Sequence, residues 1–162
     1  MSAGIQLQMK PFSFQQAEST IRKIVAKAGH LKIPFHASGN FLIARTHTHF
    51  VHERSSEGEA WAALTTAYVA WPKKEGRRNG RAHPILHVHG YLEASINYKA
   101  GDASLAVGTN RKFPGGSESA AAIQQLGGTG RDAKIPARPF QVMVGSDEDR
   151  IGDFLMEYLA KL

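Results

Sequence analysis

Cysteine is absent from the 162 residues, which excludes disulfides and every thiolate-ligated zinc or iron–sulfur site. No apolar run approaches the roughly 20 residues that a membrane-spanning helix needs. The opening "MSAGIQLQMKPFSFQQ" lacks the basic head and apolar block of a secretory signal. A Gly-x-Ser-x-Gly elbow, a phosphate-binding P-loop and a dinucleotide fingerprint are also missing. "GGTGR" is glycine-rich but neither follows a strong strand nor opens a helix, as a phosphate cradle requires. Internal repeats and low-complexity tracts are lacking too. The expectation is one soluble domain over residues 1–162, with no membrane contact, no marked nucleophile and no cofactor.

Positive charge is in excess. The formal net charge is +6 and the sequence pI is near 9.7, a balance that favours acidic partners. Much of the excess sits in "KKEGRRNGR", residues 73–81, which carries Lys73, Lys74, Arg77, Arg78 and Arg81. Asn79 and two glycines make this run a loop. It reads either as a solvated loop or as a contact for DNA or an acidic partner. No aromatic residue is interleaved to stack bases, which weakens the second option.

Apolar periodicity predicts a helix over Ser13–Ala28, with Phe14, Ala17, Ile21, Ile24, Val25 and Ala28 on one face and Ser13 as cap. "HLKIPFHASGN" reads as a connection, and a second helix runs from Ser38 or Asn40 to about Glu53, although "RTHTHFVH" also alternates like a strand. "SSEGEAWAALTTAYVAW" predicts a turn and then a short helix carrying Trp61, Leu64 and Tyr68, stopped by Pro72. A hairpin pairs Ser95–Tyr98 with Ser104–Val107 across Ala100-Gly101-Asp102. "SAAAIQQLG" is a short helix ended by Gly127, "GGTGRDAK" a mobile loop, and "PFQVMVG" a last strand. Ser146, with Asp149 as capping-box partner, opens a final helix striped by Ile151, Phe154, Leu155, Tyr158, Leu159 and Leu162. The fold class is α+β: a small antiparallel sheet of about four strands, packed against N-terminal helices and a C-terminal helix, with long mobile loops.

Eight histidines raise the question of a metal. His47, His49 and His52 with Glu53 do not form a His-Glu-x-x-His zinc helix, because the second histidine and the base are missing from that spacing. In a second cluster, His83, His87 and His89, the last two share a side only if residues 85–89 are a strand, and any carboxylate must come from Glu93 or from far away in the chain. A metal-dependent hydrolase is therefore the third reading, behind a structural protein and a small nucleic-acid-binding module.

An ordered set of punctuation carries more. "EGEAW..L" at 57–64, "ILHVHGYLEASI" at 85–96, "VGTN" at 107–110, "AAIQQLGG" at 121–128 and "IPARPF" at 135–140 follow one another along the chain. This set resembles the phage virion morphogenesis, or tail completion, family. Gly58, Trp61 and Leu64 match its Gly-x-x-Trp-x-x-Leu segment, and Leu86, Gly90, Leu92 and Ser95 match its Leu-x-x-x-Gly-x-Leu-x-x-Ser segment. Gly108, Gln125, Gly127 and Phe140 match the later boxes. Gln124 stands where the family has a histidine, and the loop "RKFPGGSES" is longer than usual. The resemblance divides the chain into an N-terminal helical segment, 1–37, and a family-like core, 38–162.

The resemblance implies a non-enzymatic virion protein, made in the bacterial host cytoplasm. It would act in tail completion or head–tail joining, as a homo-oligomeric ring that meets other tail or neck proteins. Pro136 and Pro139 stiffen "IPARPF" and hold Arg138 extended. The expectation is that Arg138 meets an acidic side chain, in the last helix or on a neighbouring subunit, with Pro136, Pro139, Gln124 and Gln125 at the same contact. Gly90 is expected to supply a special backbone conformation or a close approach, and Trp61, Leu86, Leu92, Ile96, Val107 and Phe140 to anchor the core.

Overall fold

In the computed structural model of the protein, the described residues are 14–69, 84–87, 89–112, 120–129 and 134–161. The basic run 73–81, His83 and Ser13 lie outside them. Among the described residues six helices and four short strands follow in the order α1 (Phe14–Ala28), α2 (Lys32–His52), α3 (Thr66–Val69), α4 (Tyr91–Ala94), β1 (Asn97–Ala100), β2 (Leu105–Gly108), α5 (Ala120–Leu126), β3 (Gly128–Thr129), β4 (Lys134–Ile135) and α6 (Gly145–Ala160). The class is α+β, and among the described residues the four strands form two separate antiparallel pairs, β1–β2 and β3–β4.

The central element is α2, and it begins earlier than the sequence suggests. Pro34 was expected to mark a connection, but it lies in the first turn of the helix, where a missing N–H has no intrahelical partner to lose. Ser38, Thr46 and Thr48 return their hydroxyls to the carbonyls of Pro34, Leu42 and Ala44, so these polar side chains are satisfied inside their own helix. Gly39 lets the hairpin approach: a Cβ built there would stand 2.4 Å from the Tyr98 ring. About half a turn away, Phe41 meets Phe154 of α6 edge-on at 6.2 Å. The hairpin and the last helix therefore pack on nearly opposite faces of α2.

Glu53, in the left-handed region at φ 53°, ends α2. Its carbonyl accepts the Trp61 N–H at 2.8 Å, and its carboxylate accepts the Ile85 N–H at 2.5 Å. One residue thus joins three stretches of chain. Between them, Gly58 turns at φ 89°, and Ser55 Oγ accepts the N–H groups of Glu57 and Glu59. Trp61 and Leu64 were expected on a helix, but they precede α3. Tertiary burial of the indole overrides the helical spacing of this short segment.

Phe50, Trp61, Ile85, Ile96, Ala121 and Phe140 form the buried core, with Ile43, Leu64, Leu86 and Leu92 packed partly against it. Phe50 is its hub, edge-on to Trp61 at 5.5 Å and tilted on Phe140 at 5.4 Å. Of the expected anchors, Trp61, Ile96 and Phe140 are buried, whereas Leu86, Leu92 and Val107 are half-buried.

Two capping expectations need correction. The first residue of α6 is Gly145 and its N-cap is Val144, so the third helical position is Asp147 rather than Asp149. Asp147 Oδ2 accepts the Val144 N–H at 3.0 Å. The stretch Pro139–Gly145, expected as a strand, runs into α6 at its last residue, and among the described residues 139–144 pair with no strand. Side chains occupy its N–H groups instead: Gln125 Oε1 accepts from Phe140 and Gln141, Ser56 Oγ from Val142, and Asp147 from Val144.

The N-terminal helix is amphipathic, as its spacing predicts, yet Ile21, Ile24 and Val25 of its apolar stripe are exposed. Ile21 is 60% and Val25 66% exposed. The described hold of α1 on the body is at its C-terminal end, where Lys27 Nζ donates to the carbonyls of Tyr158 and Lys161. Just beyond, the Leu31 N–H reaches Asp102 O at 3.1 Å.

Candidate functional site

The residues of the sequence motifs converge, although they are far apart in the chain. The Trp61 indole N–H donates to Pro139 O at 2.8 Å. Arg138, expected to meet an acidic side chain, is 6% exposed and turned inward. Its Nε donates to Ala62 O at 2.9 Å and its Nη2 to Ala63 O at 3.4 Å. Those carbonyls belong to the stretch between Trp61 and α3, which forms no ladder, and a guanidinium with five donors can serve several at once. The Arg138 N–H donates to Gln124 O at 2.7 Å, and Nη1 approaches Gln124 Oε1 at 3.5 Å. Gln125 takes two N–H groups on Oε1 and returns its Nε2 to Gln141 O at 3.0 Å. Pro136, Pro139, Gln124 and Gln125 are all half-buried in this knot.

Two glycines show why their positions tolerate nothing larger. Gly127 ends α5 at φ 77°, and a Cβ there would lie 3.0 Å from both Ala137 N and Ile135 O. Gly90 has φ 70°, and a Cβ would meet the His87 ring at 3.2 Å. Both the special conformation and the close approach expected at Gly90 are present. Leu86, at φ 64°, is a non-glycine residue in the same region of backbone space, a strained setting for a leucine. Gly108 needs no such freedom.

The histidines sort into polar pairs. Glu93 accepts from His47 Nδ1 at 2.7 Å on one oxygen and from His87 Nδ1 at 2.8 Å on the other, which ties α2 to the turn before α4. His89 lies against Tyr91 with ring centroids 5.3 Å apart. Residues 85–87 form a turn rather than a strand, so His87 and His89 do not present a common ligand face. Among the described residues no three His, Asp or Glu side chains are placed to hold a metal ion. Ser95 Oγ binds Thr109 Oγ1 at 2.6 Å and Leu92 O at 2.7 Å, closing the base of the hairpin.

Beside this knot runs a groove of about 820 Å³. Its walls are α2, the stretch Ala103–Thr109 that includes β2, α5, the unpaired stretch Phe140–Met143 and the start of α6. Its lining is mainly apolar, from Phe35, Leu42, Leu105, Val107, Val142 and Ile151. One ion pair crosses it: Arg45 of α2 meets Asp147 of α6, whose side chain is 1% exposed. His49 is held below the ordinary histidine value of 6.5, first by burial and then by the positive charges of Arg45 and His52. Its Nε2 lies 3.2 Å from Ser56 Oγ.

Sequence reasoning weighed His49 and Glu93 only as candidate metal ligands and missed Arg45 and Asp147. The three-residue offset from Val144 to Asp147 was the available signal for the last of these.

The sequence model of the phage virion morphogenesis family matches residues 12–160. No curated protein and no solved structure matches the chain.

Proposed function

This chain belongs to the phage virion morphogenesis family, and on that premise we propose that it is a non-enzymatic structural protein of a tailed phage or prophage. It acts in tail completion or head–tail joining, as a ring of identical subunits around the path of the DNA. The observation that carries this reading is the family match over nearly the whole chain. The exposed apolar residues of α1 and the apolar groove support self-association, since exposed patches of this kind mark contact surfaces. Two different patches on one chain make a heterologous contact, and such contacts close into rings when the rotation allows. Among the described residues no helix is long and apolar enough to cross a membrane.

Lys73, Lys74, Arg77, Arg78 and Arg81 give the ring a use for its charge. A basic lumen attracts phosphates without reading bases, and such attraction weakens steeply with salt. Neutralising Arg77, Arg78 and Arg81 should impair DNA passage while leaving the fold intact. Unchanged phage yield from that variant removes the DNA-path assignment. The structural knot at Arg138, Gln124, Gln125, Pro136 and Pro139 serves the subunit contact by fixing the wall of the groove.

Native mass spectrometry across a concentration series tests the assembly and reports bound metal in the same experiment. Metal-free closed oligomers are expected. One firmly held zinc per chain would contradict the structural reading and reopen the hydrolase.

A further inference from the structure

Among the described residues, β2 is paired on one side only, with β1. Gly101 N–H donates to Ser104 O and closes the hairpin turn. With the register Lys99↔Ala106 and Asn97↔Gly108, the hydrogen-bonded pairs alternate from that bond. The N–H and C=O groups of Leu105 and Val107 therefore point away from β1. Among the described residues β1 contributes nothing to the groove's lining, whereas β2 does, so the groove runs along the outer edge of β2. An open edge of this kind is a template for another strand, and a two-stranded sheet gains stability from a third.

Thirteen residues precede α1, and they contain Ile5-Gln6-Leu7-Gln8-Met9, a strict alternation that ends before Pro11. Neither of the longer stretches outside the described residues competes with it: 70–83 carries the basic run, and 113–119 reads "FPGGSES". The alternation suits a strand with one apolar face, which matches the apolar lining of the groove. The described anchors of α1 lie at its C-terminal end, at Lys27 and Leu31, while Ile21 and Val25 remain exposed. A helix of this length reaches about 22 Å, and the thirteen residues before it span up to about 45 Å when extended. Chain of that reach is long enough to meet the groove of a neighbouring copy.

We propose that residues Ile5–Met9 of a second copy add a strand to the open edge of β2, with Ile5, Leu7 and Met9 directed into the groove. The backbone ladder supplies the attraction and the apolar side chains the register, as in other strand-addition interfaces. The donating segment and the receiving edge are different surfaces, so repetition of the contact joins copies head to tail. This inference rests on the reading of the chain as a self-assembling ring.

Because the chain has no cysteine, a mixed-disulfide experiment on the full-length protein tests it cleanly. One population carries Leu7→Cys, another carries Leu105→Cys or Val107→Cys, and the two are mixed under oxidation while native mass spectrometry follows the subunit count. The expected result is a disulfide between peptides of the two populations, together with at least tenfold weaker association of a Leu7→Asp variant. Oligomers that form without any mixed disulfide overturn strand donation and leave the ring standing. A disulfide that forms only within single chains of a doubly substituted protein overturns donation between copies. A chain that is monomeric at every concentration and gives no mixed disulfide overturns both.

Discussion

Replacing Asp147 with alanine removes two interactions at once. Its carboxylate faces Arg45 across the groove with 1% of the side chain exposed, and it also accepts the Val144 N–H that opens α6. Removing one partner of a buried pair costs about 3–5 kcal/mol, because the other charge is left without compensation. Arg45 keeps 22% of its side chain in solvent, so the lower end, about 3 kcal/mol, applies. Loss of the helix cap adds about 1 kcal/mol. The sum of about 4 kcal/mol is a large part of the roughly 5–15 kcal/mol that holds a domain folded. For a chain of this length it lowers Tm by about 8–16 °C. Asp147→Asn keeps an oxygen for Val144 and should lose only about 3 kcal/mol. The double variant Arg45→Met/Asp147→Leu should lie within about 2 kcal/mol of the parent, since an apolar replacement of both partners leaves no stranded charge. Urea melts at constant m read all three differences. An Asp147→Ala variant within about 1 kcal/mol of the parent would refute the reasoning that this pair fastens α6 to α2.

Gln125→Ala strips the acceptor from two backbone N–H groups and should cost about 2–3 kcal/mol, with faster amide exchange confined first to Phe140 and Gln141. Gly39→Ala drives a Cβ into the Tyr98 ring and should cost about 1–3 kcal/mol; a double-mutant cycle with Tyr98→Ala should recover most of that loss. The depressed pKa of His49 means that the unfolded chain binds the proton more readily. Stability should therefore fall as pH drops below about 6.5 toward the lower folded value. Thermal melts between pH 5 and 8 should show a smaller slope in His49→Gln, and an unchanged slope removes His49 as its source.

Much of the architecture is legible in the sequence because it depends on local pattern. The stripe of α6, the extent of α1, the hairpin and the glycine stop of α5 all follow from spacing and turn chemistry. One misreading has its origin in the satisfaction of backbone groups by side chains. Pro139–Val144 has the composition of a strand, but its N–H groups are taken by Gln125, Ser56 and Asp147. A local window shows Asp147 but neither Gln125 nor Ser56. Beside Arg138 the stiffening prolines are visible in the sequence, whereas the carbonyls of Ala62 and Ala63 that it serves are not. Trp61 reads as helical because its neighbours are good helix formers, while its burial against Phe50 depends on the turn made by Glu53. The motif residues were legible as a set, and the Trp61–Pro139, Arg138–Gln124 and Gln125–Phe140 hydrogen bonds join three of its boxes. Its basic run falls outside the described residues, so its assignment rests on charge alone.

The most direct test removes the protein from the phage that encodes it and examines the particles by negative-stain electron microscopy, with infectious titre counted in parallel. The account predicts that heads and tails are made but are left unjoined or with defective tail ends, and that supplying the protein in trans restores joined, infectious particles. Normal, infectious virions assembled without it would contradict the assignment to virion assembly.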